Sequence, residues 1–466
     1  MPLEGSRERV VFLATLLYGA ISKRKHYLYT EVGNIMETKL ARISQLSSEN
    51  PNMVFTSVGH LINKEMLKRC HEKMDGKKAV GIDRVTKEEY GQKLEENIDR
   101  LVERLKKKAY KPKPARKVEI PKENGKTRPL SIYCYEDKLV QAALKEILEA
   151  VFEPCFYDEM MGFRPGRSCH QALRNLNVML MENKTNYVLD ADIKSFFNHL
   201  DHGWITKFIE SKIKDPNILR LVKRTLKAGV MEDYQYSATE QGSGQGSMCS
   251  PVIANIYMHY VLLWWFKEKV KPLMKGYCDM VIYADDFVVC FQYKEDAEGF
   301  YEMLKRRMRH FGLSMEEEKS RLIEFGRFAQ EKAQRRGEKP VTFDFLGFTH
   351  YCSKSRNGKF RVKRKTSKKK FRKKCKEMNL LIKGMRHHKV RYIIRKLNQV
   401  LTGYYHYYGI TDNSRSIHGF YDRVKKILFY WLNRRSQRRS YTWEGYTEML
   451  KCYPLAKPKI YVSINA

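Results

Sequence analysis

The stretch VIYADDFVVC, residues 281–290, sets two adjacent carboxylates, Asp285 and Asp286, inside an apolar, β-branched and aromatic run. The run reads as a pair of strands joined at the acids. Burying unpaired carboxylates costs several kcal/mol. A hairpin turn whose acids reach water is the plain explanation. The sharper one is a turn that presents both acids to divalent cations. Metal-assisted phosphoryl transfer holds two cations about 4 Å apart. That chemistry requires at least one more carboxylate nearby. DADIKSFF, residues 190–197, supplies Asp190 and Asp192, which share one strand face at i and i+2. Spacing alone does not choose between them, and a solvated strand face is the plain alternative.

Other polar groups fit a phosphate-handling site. In EIPKENGKTRPL, Lys122 and Arg128 flank a turn, and two cations on a hairpin tip can hold a triphosphate. GSGQGSMCSP, residues 242–251, is a Gly/Ser loop opening a helix, where backbone can approach an anion closely. Lys319, in MEEEKSRL, reads most simply as an exposed helix or loop residue.

The balance of charge narrows the class of partner. The 466 residues carry 89 Lys+Arg against 53 Asp+Glu, a formal net charge of +36. Such an excess points to a polyanion, nucleic acid above all. The 12% aromatic content exceeds what a charge-packing protein needs. None of the 10 cysteines forms a C-x-x-C pair, so neither a zinc ribbon nor a disulfide framework is expected, and a reducing compartment fits best. VVFLATLLYGAI, residues 10–21, is too short to span a bilayer and reads as a packing helix.

These groups need elements to hold them. Residues 1–55 read as an extension of unknown role. Residues 56–115 are helical around a turn at 75–83. Residues 116–350 mix strands and helices: strand–loop–strand at 116–132, an amphipathic helix at 138–152, a strand opening at 187, and one strand with alternating aromatics at 343–351. From 352 the pattern is basic and helical. The run at 361–376, RVKRKTSKKKFRKKCK, is expected on a helix and its lead-in, wholly solvated or facing phosphates. The aromatics in YYHYYG (404–409) suit a core better than a base-stacking surface.

Seven motifs in series decide the reading. IPKENGKTRPLSI, GFRPGRSCHQAL, DADIKSFFNHLDH, GSGQGSMCSPVIANIY, YADD, GLSMEEEKSRL and FDFLGF together resemble the bacterial group II intron reverse transcriptase/maturase family over residues 56–460. The resemblance implies an α+β right-hand polymerase. Its fingers and palm, with an antiparallel sheet, fall at 56–355, and a helical thumb or maturase domain falls at 356–466. It selects Asp192, with Asp285 and Asp286, as ligands of two Mg²⁺ ions, for which Mn²⁺ can substitute. It places Phe197 under the incoming sugar, Lys122 and Arg128 on the triphosphate, Gln245 beside nucleotide and template, and Lys319 as proton donor to the leaving pyrophosphate. Arg164 and Arg167 would face template. Arg364, Lys365, Lys369 and Arg372, in the basic run, would meet RNA.

The implied partners are template RNA, primer DNA and structured intron RNA, with no membrane and a cytoplasmic location. The endonuclease of some members is expected to be absent. Two departures stand out. Gly244 replaces the usual Pro of G-x-P-Q-G, which should loosen that loop, and Ser131 replaces a Gly in RPLSI. Competing readings are a splicing-only maturase and a free-standing relative serving anti-phage defence or repair.

Overall fold

The computed structural model describes residues 35–121, 127–232, 235–355, 357–438 and 440–464. The apolar stretch 10–21 and Lys122 lie outside the described residues. Among the described residues eleven strands occur in chain order: β1 (Ala115–Pro121), β2 (Thr127–Ile132), β3 (Tyr187–Asp192), β4 (Val230–Glu232), β5 (Gln235–Ser237), β6 (Cys278–Tyr283), β7 (Asp286–Phe291), β8 (Arg321–Glu324), β9 (Phe343–Phe345), β10 (Phe348–Lys354) and β11 (Phe360–Thr366). With the helices they make an α+β fold. The chain divides into two compact units, residues 1–157 with 195–261, and residues 158–194 with 262–466.

The first unit holds the sheet β2-β1-β4-β5. Its pairs are antiparallel except β1 with β4, which run parallel from Ala115↔Val230. Beside it lies the long helix Tyr135–Phe152, whose Leu139, Leu144, Ile147, Leu148 and Val151 are fully buried. The helix Ile35–Glu49 packs along it, and Ser47 Oγ donates to the Val151 carbonyl at 2.7 Å. Part of the N-terminal extension therefore belongs to this unit's core. The helices Lys64–Lys73 and Lys87–Gln92 begin where side chains satisfy free N–H groups: Asn63 accepts from Met66, and Thr86 with Glu89 forms a capping box.

The second unit is built on the antiparallel sheet β6-β7-β3-β8. Residues 287–291 of β7 are all buried, as expected of a central strand covered on both faces. The helix Cys169–Met181 covers one face, with Leu173, Leu176 and Leu180 packed on Val188, Val281 and Val288. FDFLGFTHY is not one strand. The chain reverses at Leu346 and Gly347, both at positive φ (+49° and +78°), and β9 folds back on β10 through Phe345↔Phe348. Positive φ at both central residues gives a two-residue turn the twist that a hairpin needs.

The C-terminal helices Lys368–Met385, Val390–Tyr408, Ser414–Leu432 and Trp443–Cys452 form a second core in this unit. Tyr404 and Tyr405 are buried there, with the Tyr404 ring stacked on Phe420 at 4.0 Å. The expected basic lead-in is strand β11, paired with β10 from Phe348↔Thr366 to Lys354↔Phe360. Alternation along that strand turns Val362, Arg364 and Thr366 inward and leaves Lys365 exposed. Arg364, expected to meet RNA, is fully buried. Its Nη2 donates to Asn177 Oδ1, and Asp412 lies 3.9 Å from its Nη1. Arg361 pairs with the same Asp412 at 3.1 Å. A run of like charges can therefore hide one member, given a carboxylate and an amide inside.

Next to Asp412, Asn413 is fully buried. Its Oδ1 accepts from Thr366 N–H at 2.8 Å, and its Nδ2 donates to Thr366 Oγ1 at 2.9 Å and to the Tyr408 carbonyl at 2.8 Å. It ties β11 to the turn between two C-terminal helices. Asn413→Ala strands a buried N–H and a buried carbonyl, so it should cost about 2–4 kcal/mol. Urea unfolding of the two proteins measures this, and an unchanged midpoint contradicts it.

Candidate active site

Strand pairing brings the acids together. In the second unit β3 and β7 are antiparallel with Asp192 opposite Asp286, and β6 and β7 close with Tyr283 opposite Asp286. Ala284 and Asp285 are then the two turn residues. Ala284 has φ +61°, which costs a non-glycine residue about 1–2 kcal/mol. The turn is supported from below. The Ile282 N–H donates to the Glu159 carbonyl at 2.9 Å and the Met161 N–H to the Ile282 carbonyl at 2.8 Å. At Gly162 a Cβ would stand 2.1 Å from the Ala284 nitrogen, so only glycine lets the two backbones meet. Arg164 serves this support. It is buried, and its Nη1 donates to the Met160 carbonyl at 2.8 Å, so it does not face template as expected. Arg167 is ion-paired with Asp158.

The acids sit where the covered part of the sheet ends. Burial pushes the Asp286 carboxyl up to about 7, reinforced by Asp190, Asp192 and Asp285. A hydrogen bond from the Leu346 backbone, in the β9–β10 turn, partly offsets this. Burial also raises Asp285, with Asp192 adding to the effect. Asp190 belongs to the same cluster: burial raises it to about 6, against the pull of Arg321, whose Nη2 is 3.5 Å away. Lys319 Nζ donates to Asp192 Oδ2 at 2.8 Å, and that bond raises the lysine. Acids held against each other at such cost suit a cationic ligand. As the side chains stand, no three of these groups converge closely enough to hold an ion among the described residues.

Phe197, Gln245 and Arg128 belong to the first unit. Phe197 is half-buried in the turn Phe196–Asn198, edge-on to Phe196. The Gly/Ser loop packs on that turn: the Ser243 N–H donates to the Phe197 carbonyl at 2.9 Å and Gln245 Nε2 to Asn198 Oδ1 at 3.4 Å. The Gln245 carbonyl accepts from the Ser131 N–H at 2.6 Å, which joins the loop to β2, three residues beyond the exposed Arg128. Gly244, where the usual proline is missing, is bonded and closely packed. Its carbonyl accepts from the Ser247 N–H at 3.0 Å and from Ser250 Oγ at 3.1 Å, and a Cβ on it would stand 2.2 Å from Tyr133 Oη. The tyrosine hydroxyl lies where any side chain at 244 would begin. Lys365, Lys369 and Arg372 are exposed in the second unit.

Residues 120–350 match the family model for reverse transcriptase (RNA-dependent DNA polymerase), and residues 368–448 match that for the group II intron maturase-specific domain. The chain belongs to the group II intron reverse transcriptase/maturase family. It is 36% identical over 234 residues to group II intron-encoded protein LtrA of Lactococcus lactis subsp. cremoris, a match covering 50% of this chain and 39% of LtrA. Protein YkfC of Escherichia coli K12 is 31% identical over 246 residues, 46% of this chain and 64% of that protein. An uncharacterized 91 kDa protein in a cob intron of Schizosaccharomyces pombe is 33% identical over 224 residues, 47% of this chain and 28% of that one. The chain thus spans less than two thirds of these relatives. Reverse transcriptase domains use divalent metal ions, and intron RNA is among the nucleic acids such domains engage. Among the described residues no helix is long and apolar enough to cross a membrane.

Motif reading missed Arg321, Ser320, Gly162 and the Leu346 turn. All four lie inside the motifs GFRPGRSCHQAL, GLSMEEEKSRL and FDFLGF, which is the signal, but the motifs assign them no role. Asp286 makes the cluster's electrostatics measurable. Without metal ions the folded chain keeps this proton up to about pH 7, whereas an unfolded carboxyl loses it near 4. Stability should therefore fall as pH rises from about 4 to 7 and level off above. Asp286→Asn should flatten that fall and gain on the order of 2 kcal/mol at pH 8. Melting curves in chelator across this range measure it; parallel profiles contradict it.

Proposed function

We propose that this protein is an RNA-directed DNA polymerase that extends a primer 3′-hydroxyl and also binds group II intron RNA to aid splicing and mobility. The observation that carries the reading is the register Asp192↔Asp286, with Asp285 in the adjoining turn, inside a reverse transcriptase domain that precedes a maturase-specific domain. Asp192, Asp285 and Asp286 would hold two Mg²⁺ ions, which supply charge stabilisation at the attacking and leaving oxygens. Asp286 meets this role by staying at a strand end where its charge is costly until compensated. Lys319 stands beside Asp192 and can hold a proton for the departing pyrophosphate. Lys122 and Arg128 would grip the triphosphate, and Gln245, pinned by its own carbonyl to β2, would line the nucleotide. Phe197 would pack under the sugar and exclude a 2′-hydroxyl. The protein would act with nucleic acid in the cytoplasm.

The exposed cations Lys365, Lys368, Lys369 and Arg372 offer phosphate contacts near the start of the helix Lys368–Met385, with Arg364 serving as an internal strut. Primer extension on an RNA template tests the polymerase reading. Asp285→Ala should abolish extension while leaving RNA affinity within about twofold, because its carboxylate lies at a turn and supports no core packing. Robust extension by that variant would overturn the assignment. Replacing Lys365, Lys368, Lys369 and Arg372 by Gln should weaken RNA binding regardless of sequence. It should also flatten the dependence of log K on log salt, by up to about 0.7–0.9 for every phosphate no longer neutralised. An unchanged slope moves the RNA surface elsewhere.

A further inference from the structure

Lys319 is exposed, but its ammonium is paired. The segment that carries it is bonded along the end of β3. Ile193 bridges Met315, the Glu316 N–H donates to the Asp192 carbonyl at 2.8 Å, and the Lys319 N–H donates to the Glu316 carbonyl at 3.0 Å. The Asp192 N–H donates to Ser320 Oγ at 3.3 Å, and Arg321 reaches Asp190 at 3.5 Å. This backbone clasp sets the Lys319 ammonium 2.8 Å from Asp192 Oδ2 and 3.8 Å from Glu316 Oε2. A monovalent cation thus rests on a carboxylate that the proposed function gives to a divalent one. A carboxylate oxygen holds Mg²⁺ at about 2.1 Å, and an ammonium left beside that ion would meet a doubly charged neighbour. On Oδ2 the two cations would compete. The Lys319 and Asp192 side chains are 63% and 38% exposed, and ion pairs that open to water are weak enough to exchange.

We propose that Lys319 is a stand-in for the cation on Asp192, and that loading of the divalent ion displaces its ammonium and frees it to meet the phosphate-bearing substrate. The inference rests on the two-metal reading of the acids. No covalent bond changes: the ammonium–carboxylate pair separates and carboxylate–metal bonds take its place. The arrangement orders the steps, since the proton donor becomes available only in a loaded site. Lys319 acts here as a positioning residue for the acids as well as a donor.

Binding of Mn²⁺ to the full chain without nucleic acid, followed by the resonance of the free aqua ion, tests this. Lys319→Gln should bind Mn²⁺ about two- to fivefold more tightly than wild type, and Asp192→Asn more weakly than either. A second readout is the acetylation rate of Lys319, followed by mass spectrometry. It should rise with Mg²⁺ in wild type and be high and Mg²⁺-independent in Asp192→Asn. Equal Mn²⁺ affinity in wild type and Lys319→Gln, with a Lys319 acetylation rate indifferent to Mg²⁺, overturns the stand-in role while leaving the metal assignment intact. No binding of Mn²⁺ to any of the three chains overturns the metal assignment itself, and the inference with it.

Discussion

Like charges resist being placed side by side, and the second unit is arranged around overcoming that resistance. Asp192 and Asp286 face each other because β3 and β7 are locked in register by the apolar residues behind them: Val188, Leu189 and Ala191 on one strand, 287–291 on the other. A slip of one residue would turn those apolar side chains out of the core. The burial of the strands thus holds the acids in a position their own electrostatics oppose. Everything near the turn answers the same demand, including the Gly162 contact that lets the hairpin tip seat and the Leu346 backbone that meets Asp286.

Much of this is legible in the sequence, for physical reasons. Carboxylates inside β-branched runs are rare enough that YADD and DADIK stand out, and the order of seven motifs identifies the family. Strands β6 and β7 follow from a continuous β-branched and aromatic run, β1, β2 and β3 from short apolar runs beside turn residues, and the helix at 135–152 from its amphipathic face. Local pattern does not show where the chain turns back within FDFLGF. Leu at positive φ has no sequence signature, so a hairpin reads as one strand. Nor does it show that Arg364 faces inward, because composition counts charges and strand alternation directs them. Arg164 misleads for the same reason: a basic residue in a motif rich in arginines is not thereby a surface residue. The resemblance sets Asp190 aside, yet that residue lies in the same electrostatic cluster as the three assigned acids.

The motifs also differ in what they do. Some residues are candidates for touching substrate, such as Asp285, Phe197 and Gln245. Others hold the backbone around the acids, such as Gly162 and Arg164 under the hairpin turn and Ser320 on the Asp192 N–H. Both kinds of residue lie in the same motifs, and only burial and bonding separate them. The basic run shows the distinction within a few residues, where Arg364 braces the interior and Lys365 meets solvent.

The Gly/Ser loop is coupled through its packing to a residue just beyond β2. Gly244 and Tyr133 share one small volume: the hydroxyl lies where any side chain at 244 would begin. Position 244 cannot gain a side chain while the tyrosine stays where it is. A proline at 244 would need the Tyr133 ring to shift or a smaller residue in its place. Loop transplants between relatives that treat the glycine-rich segment as a self-contained cassette will therefore import a collision with a ring 111 residues earlier in the chain.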